Sequence, residues 1–283
     1  MFRKHRIVIY PAILVFFALS ICPLYAADIT ALITRIEHNM VQIPSGEFTM
    51  GGNEATDECP PHKVYLDAFY IGKYETTFEE YEAFCHDTGY GIPIDPRYGA
   101  QPDPSMLGPT LPVMNVTRDE AERFCKWLSQ KTGRRYRLPT EAEWEKAARG
   151  GLEKKTFPWG DDPPSEAGVF RANYGPSFDH FTWKKDGYEY SAPVGTYPPN
   201  GYGLHEMAGN LWEWCSDGYE RTYYRDSPYK NPQGPHPRDD LRGIIRGGCY
   251  GSGNNHLRCA KRHAIHPSNQ AFLIGFRIAR DAR

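Results

Sequence analysis

Residues 137–151 read RLPTEAEWEKAARGG, and this stretch contains a complete set of signals for one α-helix. Thr140 followed by Glu143 forms a capping box, in which the hydroxyl and the carboxylate bind first-turn amides that otherwise lack partners. Apolar residues at helical spacing predict the buried face, and a glycine pair predicts the end of the helix. These residues are Trp144, Ala147 and Ala148 on the face, and Gly150 and Gly151 at the end.

The same capping signal occurs twice more, upstream of this stretch. Thr77 with Glu80 predicts one helix, and Thr117 with Glu120 predicts another. In both segments the apolar positions recur at intervals of three and four, as in a helix with one buried face. They are Phe78, Tyr81, Phe84 and Cys85 in the first segment, and Ala121, Phe124, Cys125 and Leu128 in the second.

Alternating apolar and polar residues predict strands in other parts of the chain. Residues 40–50 alternate around Pro44-Ser45-Gly46 and are predicted to form a hairpin, and residues 64–74 predict a second strand pair. Residues 244–250 and 271–279 predict a final pair near the C-terminus.

The long segment from Phe157 to Tyr250 lacks helical periodicity and is rich in Gly, Pro, Asn, Asp and aromatic residues. The 27 glycines and 24 prolines of the chain favour a loop-rich fold over a helical bundle. Because loop backbone must still find hydrogen-bond partners, we expect bound cations or disulfides to organise this segment.

The N-terminus has the three-part pattern of a secretory signal peptide. Arg3, Lys4 and Arg6 precede an apolar run of about 15 residues, and Ala26 predicts cleavage that removes residues 1–26. The alternative is a membrane anchor, but the run is shorter than the roughly 20 residues that a spanning helix needs. We therefore expect a periplasmic or secreted mature protein without a membrane span, in which residues 27–39 form a helical N-terminal lead-in.

Charge and cysteine content narrow the function of the mature chain. Loss of the signal-peptide cations takes the formal net charge from −2 to about −5. No basic patch is present, which argues against a nucleic-acid partner. In an oxidising compartment an even number of cysteines favours disulfides, with roughly fifteen complete pairings left open. The six are Cys59, Cys85, Cys125, Cys215, Cys249 and Cys259.

Eight short motifs occur in an order and spacing that resembles the formylglycine-generating enzyme, or sulfatase-modifying factor, family. They are Ile43–Gly51, Pro112–Val116, Arg137–Glu145, Phe157–Gly160, Pro199–Leu204, Gly209–Trp214, Arg246–Gly248 and Gly275–Arg277. The resemblance extends over about residues 40–281, and residues 40–283 are expected to form one domain. It implies an α+β fold related to C-type lectins, with little regular secondary structure.

The resemblance also implies structural calcium, which binds six to eight oxygen ligands of the kind that irregular loops supply. One implied site takes side-chain oxygens from Asn173 and Asp186 and carbonyls from Tyr174 and Tyr188. The second implied site is made by Glu206, Gly209, Leu211 and Glu213. Glu206 departs from the family pattern, which has a shorter Asn or Asp there. The alternative is that these acids are solvated or cap turns.

The catalytic chemistry of the family does not carry over. Its oxidase holds copper(I) with two cysteines that follow the Arg-Gly-Gly strand, and oxygen then converts a sulfatase cysteine to formylglycine. A soft cuprous ion needs two such thiolates. Here Ser252 stands at the first of these positions, the loop is about three residues shorter, and no cysteine stands at the second. Whether another redox metal binds is left open.

The candidate catalytic residues near this position are Cys249, Ser252 and His256. Cys249 is interpreted either as a nucleophile or single metal ligand, or as a buried thiol or a disulfide partner of Cys215. His256, His263 and His266 could bind a metal or transfer protons, but their spacing alone does not bring them together.

Two functions of different classes follow. The first is an accessory protein that matures a secreted small molecule, peptide or protein, since family members without the cysteine pair include one that oxidises a peptide siderophore chromophore. The second is a non-catalytic lectin-like module that binds a glycan, a peptide or a partner protein. A third and weaker hypothesis is formylglycine generation on a sulfatase, for which this chain lacks the cysteine pair.

Overall fold

The computed structural model describes residues 23–93, 106–175, 186–235 and 242–282. The signal-peptide prediction falls mostly on residues 1–22, outside the described ranges. Among the described residues, no helix is both long and apolar enough to span a bilayer. The four α-helices are α1 (Pro23–His38), α2 (Phe78–Thr88), α3 (Arg118–Thr132) and α4 (Glu141–Arg149). Helix α1 agrees with the helical pattern of the lead-in, and it begins before the expected cleavage point.

The three predicted capping boxes are confirmed. In α2, α3 and α4 the threonine side chain accepts a bond from the backbone N–H of the glutamate, whose carboxylate accepts one from the threonine N–H. Each of these helices ends at a left-handed glycine, the conformation that costs glycine least. The glycines are Gly89, Gly133 and Gly150.

The predicted hairpin turn at Pro44-Ser45-Gly46 is wrong. Strands β1 (Met40–Ile43) and β2 (Gly46–Met50) do not pair with each other. Instead β1 pairs with β4 (Phe69–Gly72), and β2 pairs with β3 (His62–Leu66). The register is the same in both pairs, so residues 40–50 and 62–72 form one long bent hairpin. Its reversal lies in residues 51–61, and the alternation pattern identified the strands but not their partners.

Among the described residues, eight of the twelve strands assemble into two four-stranded sheets, and the remaining four form two separate pairs. The strands not yet given a range are short. They are β5 (Tyr136–Arg137), β6 (Ser165–Glu166), β7 (Val169–Phe170), β8 (Trp212–Gly218), β9 (Gly243–Arg246), β10 (His263–Ile265), β11 (Ile274–Gly275) and β12 (Ala279–Asp281). One sheet has the order β1-β4-β12-β5, and the other has the order β10-β9-β8-β11. The α+β class is confirmed.

The predicted final strand pair is also wrong. Strand β9 pairs with β8 and β10, whereas residues 271–279 contain β11, which pairs with β8, and the first residue of β12. Gly275 explains the short β11, because a Cβ there would lie 2.5 Å from the Val113 carbonyl oxygen. The strand is pressed against a neighbouring loop and cannot continue as a hairpin with β9.

The expected disulfides are absent from the described residues, where all six cysteines are free thiols. Five of them lie in the two large apolar cores as small hydrophobic side chains, a common use of unpaired cysteine. Cys59 and Cys85 donate hydrogen bonds to the carbonyls of Gly52 and Gly91.

Buried arginines near the C-terminus bind glutamates in earlier parts of the chain. Four arginines from residues 246–277 are at most 6% exposed. Each forms an ion pair with a buried glutamate from an earlier part of the chain. They are Arg246, Arg258, Arg262 and Arg277, which we call the arginine cluster.

Candidate functional site

The loop that follows β9 is tightly folded against the protein. Gly248 has a φ of 81°, and a Cβ there would lie 3.0 Å from the carbonyl oxygen of His256. Glycine at this position therefore lets the two ends of the loop approach closely. Cys249 and Ser252 are both fully buried at its base.

Ser252 forms hydrogen bonds within the loop and does not face solvent. Its Oγ accepts a hydrogen bond from the Cys249 N–H at 3.0 Å and lies 3.3 Å from Cys249 Sγ. Its own N–H donates to the Cys249 carbonyl at 2.8 Å. The serine at the position of the family's first catalytic cysteine thus closes a turn.

Cys249 is poorly suited to nucleophilic chemistry. Burial raises the pKa of its thiol to about 11, against the smaller opposing effect of the Ser252 hydroxyl. Because the thiolate is the reactive form, a thiol that stays protonated at neutral pH is inert. The geometry therefore favours the interpretation of Cys249 as a buried thiol, and it forms no disulfide with Cys215.

The structure brings two of the three candidate histidines together, around an aromatic side chain that the sequence analysis did not single out. Trp212 on β8 stacks on His263 with ring centroids 5.2 Å apart, and it meets His256 edge-on at 5.8 Å. His266 is not in this group, because it is exposed and its Nδ1 contacts Ser268. We call Trp212, His256 and His263 the Trp–His cluster.

Both imidazoles of this cluster are uncharged at neutral pH. Burial, followed by the nearby charge of Lys261, lowers the pKa of His256. Partial desolvation of the ring that stacks on Trp212, followed by His256 and Lys261, lowers the pKa of His263, although the residue as a whole is exposed. His256 is half-buried and His263 is exposed, so at least one ring is accessible from solvent. Neutral imidazoles can accept a proton or a hydrogen bond from a bound molecule.

The first implied calcium set fits a cation. Asn173 Oδ1 is buried and has no hydrogen-bond partner among the described residues, although the Nδ2 of the same amide donates to the Tyr190 carbonyl at 2.8 Å. The Asp186 carboxylate is held next to this segment by the backbone N–H groups of Tyr174 and Tyr188, at 3.0 and 3.2 Å. Burial raises the pKa of Asp186. An unpartnered amide oxygen and a desolvated carboxylate are both groups that a bound cation would stabilise.

The second implied set does not fit calcium. Both oxygens of Glu213 accept hydrogen bonds from the Arg277 guanidinium at 2.7 Å, and Oε2 also accepts one from Trp144 Nε1 at 2.8 Å. The Glu206 carboxylate accepts bonds from two backbone N–H groups, and burial raises its pKa to about 7. The cation that binds the Glu213 carboxylate in this structure is therefore Arg277.

Within the described residues, no group of three or more His, Cys, Asp or Glu side chains is arranged to hold a metal ion. The first calcium set is not of this type, because an amide and two carbonyls supply most of its oxygens. The Trp–His cluster likewise brings together only two such side chains.

Residues 27–282 match the family described as the sulfatase-modifying factor enzyme 1-like domain. This chain belongs to the sulfatase-modifying factor family. It is 35% identical to a formylglycine-generating enzyme of Streptomyces coelicolor, over 88% of this chain and 91% of the relative. It is 27% identical to a Bos taurus protein named inactive C-alpha-formylglycine-generating enzyme 2, over 86% and 88% of the two chains.

Among solved structures, the chain is similar to the one titled "Structure of PvdO from Pseudomonas aeruginosa". The TM-score is 0.74 and the identity 32%, over 86% of this chain and 94% of that chain. The family thus contains both proteins named as active enzymes and a protein named as inactive. Within it, this chain is a divergent member, because Ser252 stands at the first catalytic cysteine position and no cysteine stands at the second.

Two parts of the site could not be found from motifs alone. Trp212 was visible in the Gly209–Trp214 motif, but its contact with His256 and His263 depends on the pairing of β8 with β9 and of β9 with β10. Arg277 occurs in a quoted motif, yet nothing local indicates that its partner is Glu213, 64 residues away.

Proposed function

We propose that this protein is an exported accessory protein that matures a secreted small molecule, peptide or protein in the periplasm. The observation that carries the proposal is the Trp–His cluster beside the loop of Ser252. The thiol chemistry of the family is missing there, and the groups that remain beside the loop are two neutral imidazoles and an indole. All three rings can contact a substrate, and the two imidazoles can accept a proton from it.

A peptide siderophore is the substrate class we propose within this function. Its support is the resemblance to family members that lack the cysteine pair and act in the oxidative maturation of such a product. The proposed location rests on the signal-peptide pattern of residues 1–26. A siderophore precursor that is finished outside the cytoplasm would meet an exported protein.

We further propose a structural calcium ion held by Asn173 and Asp186 through side-chain oxygens and by Tyr174 and Tyr188 through carbonyls. The support is the unpartnered Asn173 Oδ1 described above. The ion would supply positive charge to a buried carboxylate and would join two loop segments that are separated along the chain. We do not extend this proposal to Glu206, Gly209, Leu211 and Glu213.

A second candidate function is a non-catalytic lectin-like module that binds a glycan, a peptide or a partner protein. It is favoured by the complete burial of Cys249 and Ser252, which leaves no nucleophile on that loop accessible to a substrate. Metal analysis of the purified protein addresses this alternative. A stable iron or copper content that is lost in His256→Ala or His263→Ala would favour an enzyme, and calcium alone would favour the binding module.

The main experiment compares secreted and periplasmic small molecules from the wild-type strain and a clean deletion strain by mass spectrometry. We expect the deletion strain to accumulate a compound that differs from the normal product by hydrogens or oxygen. Complementation with wild type should restore the product, and complementation with a His256→Ala/His263→Ala variant should not. His266→Ala is the matched control, because His266 lies outside the cluster. Identical profiles in cells that make the protein would remove the support for maturation and direct attention to a pull-down for partners.

A further inference from the structure

A cavity of about 290 Å³ lies apart from the Trp–His cluster, and more cationic than acidic side chains line it. Four cationic side chains line it, and Glu54 is the acidic side chain that lines it. The volume is at the lower end of the range for small-molecule sites, which begins at roughly 300 Å³. The cations are Arg149, Arg258, Lys154 and Lys155, and we call this site the cationic cavity.

The two guanidinium groups of the cationic cavity are fixed parts of the fold. Arg149 is 5% exposed and Arg258 is 6% exposed. Glu145 holds Arg149 through Nε and Nη2 at 3.0 and 2.7 Å. Glu58 holds Arg258 through Nη1 and Nη2 at 2.7 and 2.8 Å. A buried guanidinium that is held by a carboxylate on one side presents its other N–H groups in a rigid arrangement.

Some of these N–H groups have no acceptor in the protein. Nη1 and Nη2 of Arg258 each carry two hydrogens, and each donates one bond, to Glu58. Nη1 of Arg149 donates one bond, to the Lys155 carbonyl. Three guanidinium hydrogens therefore have no acceptor among the described residues. Buried donors of this kind are expected to bind an external acceptor.

The lysines add positive charge at the edge of the cationic cavity. Lys154 is exposed and has no ion-pair partner among the described residues. Lys155 pairs with Asp161 at 2.6 Å, and both side chains are about half exposed to solvent. Glu54 lies 3.2 Å from Arg258 Nε, but its side chain is 60% exposed. Solvent screens these exposed pairs. Because a buried carboxylate offsets the charge of each buried guanidinium, the guanidinium groups contribute directed N–H donors to the cavity, and Lys154 contributes a charge without an ion-pair partner among the described residues.

We propose that the cationic cavity binds the oxyanion group of a small molecule, meaning a phosphate, sulfate or carboxylate. Forked guanidinium donors match the paired oxygens of these groups and form strong charge-assisted hydrogen bonds with them. The site is separate from the loop of Ser252, although Ala260, which lines the cavity, directly follows Cys259 at the end of that loop. The proposal does not depend on the proposed function, since it concerns binding alone.

Isothermal titration calorimetry at low ionic strength tests this proposal with inorganic phosphate, sulfate and malonate as probes. We expect saturable binding of at least one probe, and the tighter probe assigns the ligand class as tetrahedral anion or carboxylate. In Lys154→Gln/Lys155→Gln the affinity should fall about tenfold or more, because two charges at the mouth are lost. The matched control is Lys126→Gln/Arg135→Gln, which removes two exposed cations from α3 and from the chain that follows it.

A second variant tests the buried part of the site. Glu58→Gln/Arg258→Gln removes the fork and its carboxylate together, so that no unpaired charge is left buried. It should retain its circular dichroism spectrum and lose saturable binding. The proposal is overturned if none of the three probes binds wild type saturably. It is also overturned if the control double variant loses as much affinity as the lysine double variant.

Discussion

The capped helices and the arginine-linked loops of this protein are held together over very different distances along the chain. Each capping box joins residues three positions apart. The arginine cluster reaches much further, since Arg246 binds Glu145 across 101 positions and Arg258 binds Glu58 across 200. Short-range hydrogen bonds define where the helices begin. Buried ion pairs between distant residues define how the loops pack against the rest of the protein.

Helix α4 belongs to both regions. Glu143 caps the helix, while Glu141 and Glu145 are buried and bind Arg262 and Arg246. The three glutamates are two residues apart in sequence and have different structural roles. A capping signal therefore shows where a helix starts. It does not reveal that other acidic residues of the same helix bind arginines far away in the sequence.

Breaking the arginine cluster should have the largest effect on stability. Arg246 is fully buried, binds Glu145, and donates to the carbonyls of Cys259, Ala260 and Lys261. Arg246→Ala removes one of the two cations that hold the buried Glu145 carboxylate, the other being Arg149, and deprives three carbonyls of their donor. Breaking a buried ion pair costs about 3–5 kcal/mol in comparable sites. We expect a loss of this size in the free energy of unfolding, measured by urea denaturation.

Arg123→Ala is the control for this variant. Arg123 pairs with Asp119 at 2.7 Å on the surface of α3, with both side chains more than half exposed. Surface pairs of this kind contribute about 0–1 kcal/mol. If Arg246→Ala were as mild as Arg123→Ala, the arginine cluster would not be what organises the loop-rich half.

Removal of calcium should have the next largest effect, and it also acts on the loop-rich region. An ion present at 100 times its dissociation constant stabilises the folded state by about 2.7 kcal/mol. We therefore expect chelator to lower the melting temperature of wild type by roughly 5–10 °C. Asp186→Asn should melt lower and respond less to chelator, whereas Asp162→Asn, at an exposed carboxylate, should respond as wild type does. An unchanged melting temperature in chelator would contradict the proposed ion.

The sequence predicted the capped helices well and the parts held by long-range contacts poorly. All three capped helices were predicted, because the donor, the acceptor and the apolar stripe lie within one or two turns. The strands at residues 40–50 and 64–74 were located, but their partners were wrong, since alternation shows which face is buried and not which strand lies alongside. The expected organisers were cations or disulfides, and the buried arginines were not foreseen because each has its partner far away in sequence.

The candidate site was predicted in part for a similar reason. Ser252 and Cys249 were located by their distance from Arg246-Gly247-Gly248, a local measure that does not depend on the fold. Their burial and mutual hydrogen bonds could not be obtained that way. His256 and His263 meet only because the sheet places Trp212 between them, and His266, equally prominent in the sequence, lies elsewhere.

Removal of a capping bond should have a smaller effect than either change in the loop-rich region. Thr117→Ala deletes the hydroxyl that accepts from the Glu120 N–H at the start of α3. Caps of this type contribute about 1 kcal/mol. The control is Thr34→Ala in α1, where the hydroxyl donates to the Thr30 carbonyl within the helix. We expect that change to stay within about 0.5 kcal/mol, as measured by urea denaturation, and equal losses would contradict a specific capping role.

The smallest effect we predict is a change in tryptophan fluorescence at the Trp–His cluster. Because the pKa of both His256 and His263 lies below 6.5 in the folded protein, the folded state binds fewer protons than the unfolded state as pH falls below 6.5. Stability should therefore decline slightly in that direction, and protonation should change the fluorescence of Trp212, which stacks on one ring and meets the other edge-on. The difference in fluorescence between wild type and His256→Gln/His263→Gln should titrate below pH 6.5, whereas the difference between wild type and His266→Gln should stay flat. A titration that is identical in wild type and the double variant would mean that the two imidazoles do not exchange protons next to Trp212, and would weaken their assignment as the proton acceptors of the site.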